Sequence, residues 1–322
     1  MIKDSEIKYS VGALMYSPAS NKKIAEAVIN EKYGKQYSLA FCLEDTISDY
    51  CVEEAEQQLI SSIKIIFEGR KKNNFYLPKI FIRVRRPEQI SRLFNELEVE
   101  QDILCGFIIP KYSVENAADY NRQILRMNEV SKDKKYMMPI LESGNIVDYV
   151  ARREILIETK KYIDDISDYV LNVRVGGNDF SNHFAVRRHY DETIYDILPI
   201  ANILSDIITV FGREYVVSGP VWEFFSSDNN EWKCGLEREM RLDKLNGFVG
   251  KTVIHPNQIP VVNEVLKVSK KDYQDALSIL GWNQSNILQV SKSVDGERMN
   301  EIKTHGNWAL KMITLAEIYG LN

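Results

Sequence analysis

The residues of this chain that could do chemistry stand at the ends of short apolar runs. Glu142 closes Met137-Met138-Pro139-Ile140-Leu141, and Asp179 follows another run through Gly176-Gly177-Asn178. Two carboxylates with open positions suit Mg²⁺, which prefers oxygen ligands, keeps waters and leaves room for an anionic substrate. The paired glycines would let the backbone approach a ligand closely, so Gly177 and Asn178 count as candidate substrate contacts. A second reading of the same residues stays open, with Asp179 capping the next helix and Glu142 pairing with a basic residue. Arg83 and Arg85 in Ile80-Phe81-Ile82-Arg83-Val84-Arg85 share strand parity, so both are expected to leave one face. A guanidinium at the rim of a site can grip a carboxylate through two parallel hydrogen bonds. It can equally form a structural ion pair with Glu44, Asp45 or Glu142. Glu44 and Asp45 follow Phe41-Cys42-Leu43 directly. Strict alternation sends their side chains to opposite faces, so one is expected in the site, while Asp45 or Thr46 could serve as a helix N-cap.

Positioning these groups falls to a repeated rhythm. Strand-length apolar runs at 11–16, 39–43, 80–84, 106–109, 136–141, 169–173, 215–217 and 251–254 alternate with longer amphipathic stretches such as 22–30, 53–67 and 198–211. Eight strand–helix units predict an α/β fold, a closed (β/α)₈ TIM barrel with its chemistry at the C-terminal strand ends. Those ends carry Ser17, Glu44-Asp45, Arg83, Lys111, Glu142, Asp179, Ser218-Gly219 and His255. An open dinucleotide-binding sheet would want a glycine fingerprint after its first strand, and Ser17-Pro18-Ala19-Ser20-Asn21 has none. Beyond the eighth run, 261–268 reads as the closing helix, 272–280 and 306–319 as further helices, and 283–298 as a polar irregular stretch. The expected division is a catalytic barrel over 1–270 and a helical extension over 271–322. Leu277, Ile279, Leu280, Trp308, Leu310 and Ile313 would need burial there, on a neighbouring subunit.

Composition excludes several classes. Of 322 residues, 44% are hydrophobic and 27% charged, the balance of an ordinary globular protein. A formal net charge of -5 argues against a general nucleic-acid surface. No apolar run approaches the roughly 20 residues that span a bilayer. The N-terminal residues include acids and lack a long apolar core, so no secretion signal is expected and the chain reads as cytoplasmic. Four cysteines are scattered without a C-x-x-C pair, suggesting neither a disulfide framework nor a zinc site.

The order of motifs resembles the HpcH/HpaI aldolase and citrate lyase β-subunit family, in its CitE-like branch. That family reads roughly L-E-D-S-V, V-R-V-N, P-K, I-E-T, G-x-x-D and G-K-x-x-I-H-P-x-Q-I. Here the stretches are Leu43-Glu44-Asp45-Thr46-Ile47, Ile82-Arg83-Val84-Arg85, Pro110-Lys111, Leu141-Glu142-Ser143, Gly176-Gly177-Asn178-Asp179 and Gly250-Lys251-Thr252-Val253-Ile254-His255-Pro256-Asn257-Gln258-Ile259. The resemblance implies Mg²⁺ held by Glu142 and Asp179, and Arg83 on a substrate carboxylate. It places Glu44 and Asp45 beside them, orienting metal-bound water or pairing with Arg83. It implies a carbon–carbon lyase acting on a 2-oxo acid or a coenzyme A thioester through a metal-stabilised enolate, in a homo-oligomer, a trimer or hexamer. Three departures stand out. Ala19 replaces the glycine after the first-strand proline, Arg85 replaces the asparagine of V-R-V-N, and Asn300 stands where the segment resembling D-G-x-M-I-D ends in an acid. They keep two alternatives in view, an acid-binding barrel without turnover and a thioesterase or acyltransferase on the same platform.

Overall fold

Parallel strands buried on both faces read as continuous apolar runs, and the barrel strands here follow that rule. The computed structural model describes residues 2–281 and 290–322. Its eight parallel strands are β1 (Ala13–Pro18), β2 (Tyr37–Cys42), β3 (Lys79–Arg83), β4 (Leu104–Ile109), β5 (Tyr136–Leu141), β6 (Val173–Val175), β7 (Val217–Ser218) and β8 (Lys251–Val253). Each strand from β2 to β7 pairs with its predecessor, and β8 pairs with β1. A single parallel bridge, Gly219 to Lys251, brings β7 to β8 and nearly closes the ring. Every residue of β2 is buried. The fold is the expected TIM barrel.

The intervening helices turn an apolar stripe to the strands. The helix Val52–Lys72 buries Ala55, Leu59, Ile63 and Ile66, three or four residues apart, the spacing of one helix face. The helix Leu198–Phe211 starts with Pro199 in its first turn, where a missing N–H costs little, and buries Ile200, Ile203, Leu204, Ile207 and Phe211. At Gly106 in β4 a Cβ would lie 1.9 Å from the carbonyl oxygen of Tyr136 in β5, so only glycine permits this pairing.

The sixth strand differs from expectation. Residues 169–173 read as a strand, whereas Ser167–Tyr169 forms a 3₁₀ turn and β6 covers Val173–Val175. Val170 and Leu171 are fully buried but only Val170 makes a bridge, to Met137. Burial makes a run apolar whether or not the backbone is paired, so the run marked the approach to the strand rather than the strand itself.

The chain divides into two compact units, Val11–Val262 and Met1–Ser10 together with Asn263–Asn322. In the second, the helices Lys270–Leu280 and Ile302–Tyr319 pack Ala276 and Ile279 on Ala309, flanked by Trp308, Met312 and Ile313. Leu277, Leu280 and Leu310 remain exposed. Of the stretch expected to be irregular, residues 283–289 lie outside the described residues. From 290 onward it forms a hairpin, β9 (Val290–Lys292) against β10 (Met299–Glu301), with Gly296 in its turn at φ +71°, a conformation that suits glycine. Asn300 is buried in β10 opposite Ser291. Among the described residues no helix is long and apolar enough to cross a membrane.

Lys251, at the start of β8, is fully buried, and its ammonium lies 2.6 Å from Glu239 and 2.8 Å from Asp243. Removing one member of a buried ion-pair network leaves the others uncompensated in a poorly solvating interior. Lys251→Met should therefore cost about 3–5 kcal/mol in urea-denaturation experiments. A loss below about 1 kcal/mol would show that these acids are neutral or resolvated and do not depend on the lysine.

Candidate functional site

A (β/α)₈ barrel brings the residues just beyond its strands to one rim. Here β3 ends with Arg83, and Glu44-Asp45, Lys111, Glu142 and Asp179 follow β2, β4, β5 and β6. Of these, Asp45, Arg83, Glu142 and Asp179 line a cavity of about 230 Å³, together with Tyr16, Arg174, Gly176, Gly177, Asn178 and Thr252, while Glu44 and Lys111 stand behind it.

Arg83 is the hub. Its guanidinium is nearly inaccessible and lies 2.9 Å from Glu44, 3.0 Å from Glu142 and 3.2 Å from Asp45. Its Nε is buried with no hydrogen-bond acceptor among the described residues. Glu142 Oε1 accepts from Arg83 Nη2 and from the backbone N–H of Lys111, both at 3.0 Å. Lys111 makes the second contact from φ +48°, a conformation uncommon outside glycine. Its ammonium reaches Glu44 at 2.6 Å and Asp45 at 3.4 Å.

The other oxygen of Glu142 faces Asp179. A Cβ built on Gly176 would lie 2.6 Å from Glu142 Oε2 and 3.0 Å from Asp179 Oδ2, so the bare glycine leaves the gap that both carboxylates border. A side chain at Gly177 would strike Ile194 and Pro220, which ties that glycine to packing as well as to the cavity wall.

These acids do not ionise alike. Burial, opposed by Arg83 and reinforced by the charge of Asp179, pushes Glu142 up to about 7. Burial also raises Glu44 above its ordinary value, against the pull of Arg83. Burial works against Asp45 too, but hydrogen bonding with Glu44 and the cations Arg83 and Lys111 outweigh it, and its pKa falls. Burial pushes the Tyr16 phenol up to about 12, so it is neutral at physiological pH.

Three features depart from the sequence reading. Glu44 and Asp45 do not part to opposite faces, because β2 ends at Cys42 and strand alternation stops before either acid; both pair with Arg83, and of the two only Asp45 lines the cavity. Arg85 does not share the face of Arg83, because β3 ends at Arg83. It turns instead onto the loop after β2, donating to the carbonyls of Leu43, Glu44 and Ile47 and pairing with Asp49. Arg174 was missed altogether. It projects from β6 to line the cavity, and its Nη2 donates to Thr252 Oγ1 at 2.6 Å. The available signal was the triplet Val173-Arg174-Val175, a charge between two apolar residues just before Gly176-Gly177. Among the described residues no group of three or more His, Cys, Asp or Glu has the placement of a metal cage. The Glu142–Asp179 pair supplies two ligands, and Mg²⁺ sites commonly draw the rest from water and substrate.

A carboxyl raised from its ordinary 4.5 to about 7 favours the fold only while protonated. Its contribution is complete below about 4.5 and is lost as the pH climbs through about 7. With divalent cations chelated, wild-type protein should therefore lose thermal stability relative to Glu142→Gln between those limits. Parallel melting curves across that window would show that Glu142 has an ordinary acidity.

The profile of the C–C bond lyases of the TIM-barrel fold matches residues 5–321. No curated protein matches the sequence significantly. Among solved structures, CitE of Mycobacterium tuberculosis in complex with magnesium, acetoacetate and coenzyme A superposes with a TM-score of 0.61 at 17% identity, over 96% of this chain and 99% of that one. The citrate lyase β subunit of M. tuberculosis complexed with oxaloacetate and magnesium gives 0.51 at 17% identity, over 80% and 98%. RipC of Yersinia pestis gives 0.52 at 17% identity, over 80% and 95%. At such identities these structures establish a shared fold. The profile match, spanning nearly the whole chain, assigns it to the family of C–C bond lyases of the TIM-barrel fold.

Proposed function

We propose that the chain is a Mg²⁺-dependent carbon–carbon lyase that acts on a small acidic substrate, a 2-oxo acid or the acyl end of a coenzyme A thioester. The observation that carries this reading is the gap over Gly176, bordered by Glu142 Oε2 and Asp179 Oδ2 and opening into the cavity. Glu142 has its Oε1 already held by Arg83 and Lys111, so Oε2 is the oxygen free for a cation. Two carboxylate oxygens on one gap, with space for water and substrate beside them, fit the needs of Mg²⁺. The magnesium bound with acetoacetate, oxaloacetate or pyruvate in CitE structures supports the same choice of ion and substrate class.

A bound Mg²⁺ would supply Lewis-acid charge for the oxyanion that develops when a bond next to a carbonyl is cleaved. The chain's own residues orient and neutralise. Arg83 fixes the carboxyl plane of Glu142 through Nη2, and its buried Nε is the donor left for a substrate oxygen. Glu44 and Asp45 keep Arg83 and Lys111 in place at the rim, within reach of water in the site. Gly177 and Asn178 form the wall against which a small acid would rest. A cavity of about 230 Å³ suits the reacting end of such a molecule, and the bulk of coenzyme A would lie outside it. The exposed Leu277, Leu280 and Leu310 support a homo-oligomer in which a second copy covers them.

Glu142→Gln and Asp179→Asn should each weaken Mg²⁺ binding at least about tenfold by isothermal calorimetry while far-UV circular dichroism is unchanged. Because Glu142 is protonated below about 7, Mg²⁺ binding at pH 6 should release a proton. The release would register as a dependence of the heat on the buffer's ionisation enthalpy, absent from Glu142→Gln. Unaltered Mg²⁺ affinity in both variants would remove the proposed site. Incubation with Mg²⁺ and a panel of 2-oxo acids and acyl thioesters, followed by NMR for cleavage products, tests turnover. Binding without cleavage across the panel would leave an acid-binding barrel.

A further inference from the structure

The cavity has two arginines, and they differ in their surroundings. Arg83 is enclosed by three carboxylates, whereas Arg174 has none within ion-pairing distance among the described residues. Arg174 is 1% exposed, in the middle of β6. Its one hydrogen bond of good geometry goes to the hydroxyl of Thr252, and its Nε and Nη1 are buried without an acceptor. Its other polar neighbour in the cavity, Tyr16, is itself a neutral phenol. Burial accordingly pulls the Arg174 guanidinium below its ordinary value, with no carboxylate to restore it.

Buried charges in proteins are paired, and leaving one without a partner is strongly unfavourable. The other buried cations of the barrel are satisfied, Lys135 by the carbonyls of Gln101 and Leu104 and the rest by acids. Lys251 has Glu239 and Asp243, and Arg188 lies 3.3 Å from Glu239. Arg174 alone among these faces a cavity instead of an acid, and a guanidinium remains protonated under all ordinary conditions. The missing counter-charge is then one that arrives with a ligand.

We propose that Arg174 is the receptor for a second carboxylate of the substrate, so that the lyase acts on a dicarboxylic acid or the equivalent dianion. The inference rests on the proposed lyase reading for the first anionic group, held near Glu142, Asp179 and Arg83. The second group lies toward β6, Tyr16 and Thr252. Specificity follows from the same physics. A monoacid would leave the Arg174 N–H groups unpaired in the bound state, and a site built around buried donors discriminates against ligands that cannot satisfy them.

The test uses the full chain and two stable 2-hydroxy acids, malate and lactate, which differ by one carboxylate. Calorimetry should show malate binding 10- to 100-fold more tightly than lactate to wild type, the worth of a charge-assisted hydrogen bond or two. Arg174→Gln should bring malate down to the lactate level and leave Mg²⁺ and lactate affinities unchanged. A wild type without preference for malate, or an Arg174→Gln that keeps the preference, would overturn the proposal. Inorganic phosphate is the comparison anion, and Arg174-dependent binding of phosphate without any of malate would also overturn the carboxylate assignment. Repeating the series in EDTA separates this proposal from the metal reading. A wild type that binds no Mg²⁺ in chelator-free buffer but keeps the Arg174-dependent preference in EDTA would sink only the latter. Melting curves guard against a folding artefact, because removal of an uncompensated buried charge should leave the ligand-free melting temperature of Arg174→Met unchanged or raised. A drop of several degrees in both Arg174→Met and Arg174→Gln would mark Arg174 as a structural cation and refute the receptor role.

Discussion

The guanidinium of Arg83, buried among Glu44, Asp45 and Glu142, is the contact on which the arrangement of the rim depends. Three acids on two strand-end segments could not approach one another in a poorly solvating interior without a cation between them. Arg83 supplies it from β3, with Lys111 after β4 adding a second positive charge at the outer edge. The residual imbalance is visible in the acids themselves. Glu142 sits deepest and nearest Asp179, and its pKa is raised to about 7, whereas Asp45, closest to solvent of the three, is lowered.

Orientation is the second consequence. Holding Glu142 by Oε1 from two directions dictates that Oε2 faces the gap shared with Asp179. That gap exists only because position 176 carries no side chain. The candidate ligand pair therefore needs three separate parts of the chain to agree: an arginine from β3, a backbone N–H after β4, and a glycine after β6. Each is a rigid strand end, and constellations built on such elements are held more closely than those on loops.

Charge is distributed unevenly across the cavity. The side toward β2, β3 and β5 is rich in acids whose cations are already engaged, and the side toward β6 and β8 presents Arg174 and Thr252. A cation would find its ligands where the two sides meet, at Glu142 after β5 and Asp179 after β6, and an anion its donor on the second. The substitution of Arg85 for the asparagine of the related motif does not alter this field. Its guanidinium is spent on the backbone of the loop carrying Glu44, where it fixes that loop rather than facing the cavity.

The sequence by itself determined the barrel, because eight apolar runs separated by amphipathic helices have few other ways to bury both faces of every strand. It also determined which acids could meet. Glu142 and Asp179 end consecutive strands, and Glu44, Asp45 and Arg83 end neighbouring ones, so strand order alone brings them to one rim. It did not reveal where each strand stops. Alternation holds only while the backbone stays paired, and so the placement of Asp45 and Arg85 and the existence of Arg174 as a cavity residue followed from the true ends of β2, β3 and β6. What only the tertiary structure decided is which charges are satisfied. Arg83 and Arg174 read alike in sequence, each a charge between apolar strand residues. One is surrounded by acids and the other by neutral hydroxyls, because electrostatic environment is a property of neighbours far apart in the chain, Thr252 being 78 residues from Arg174.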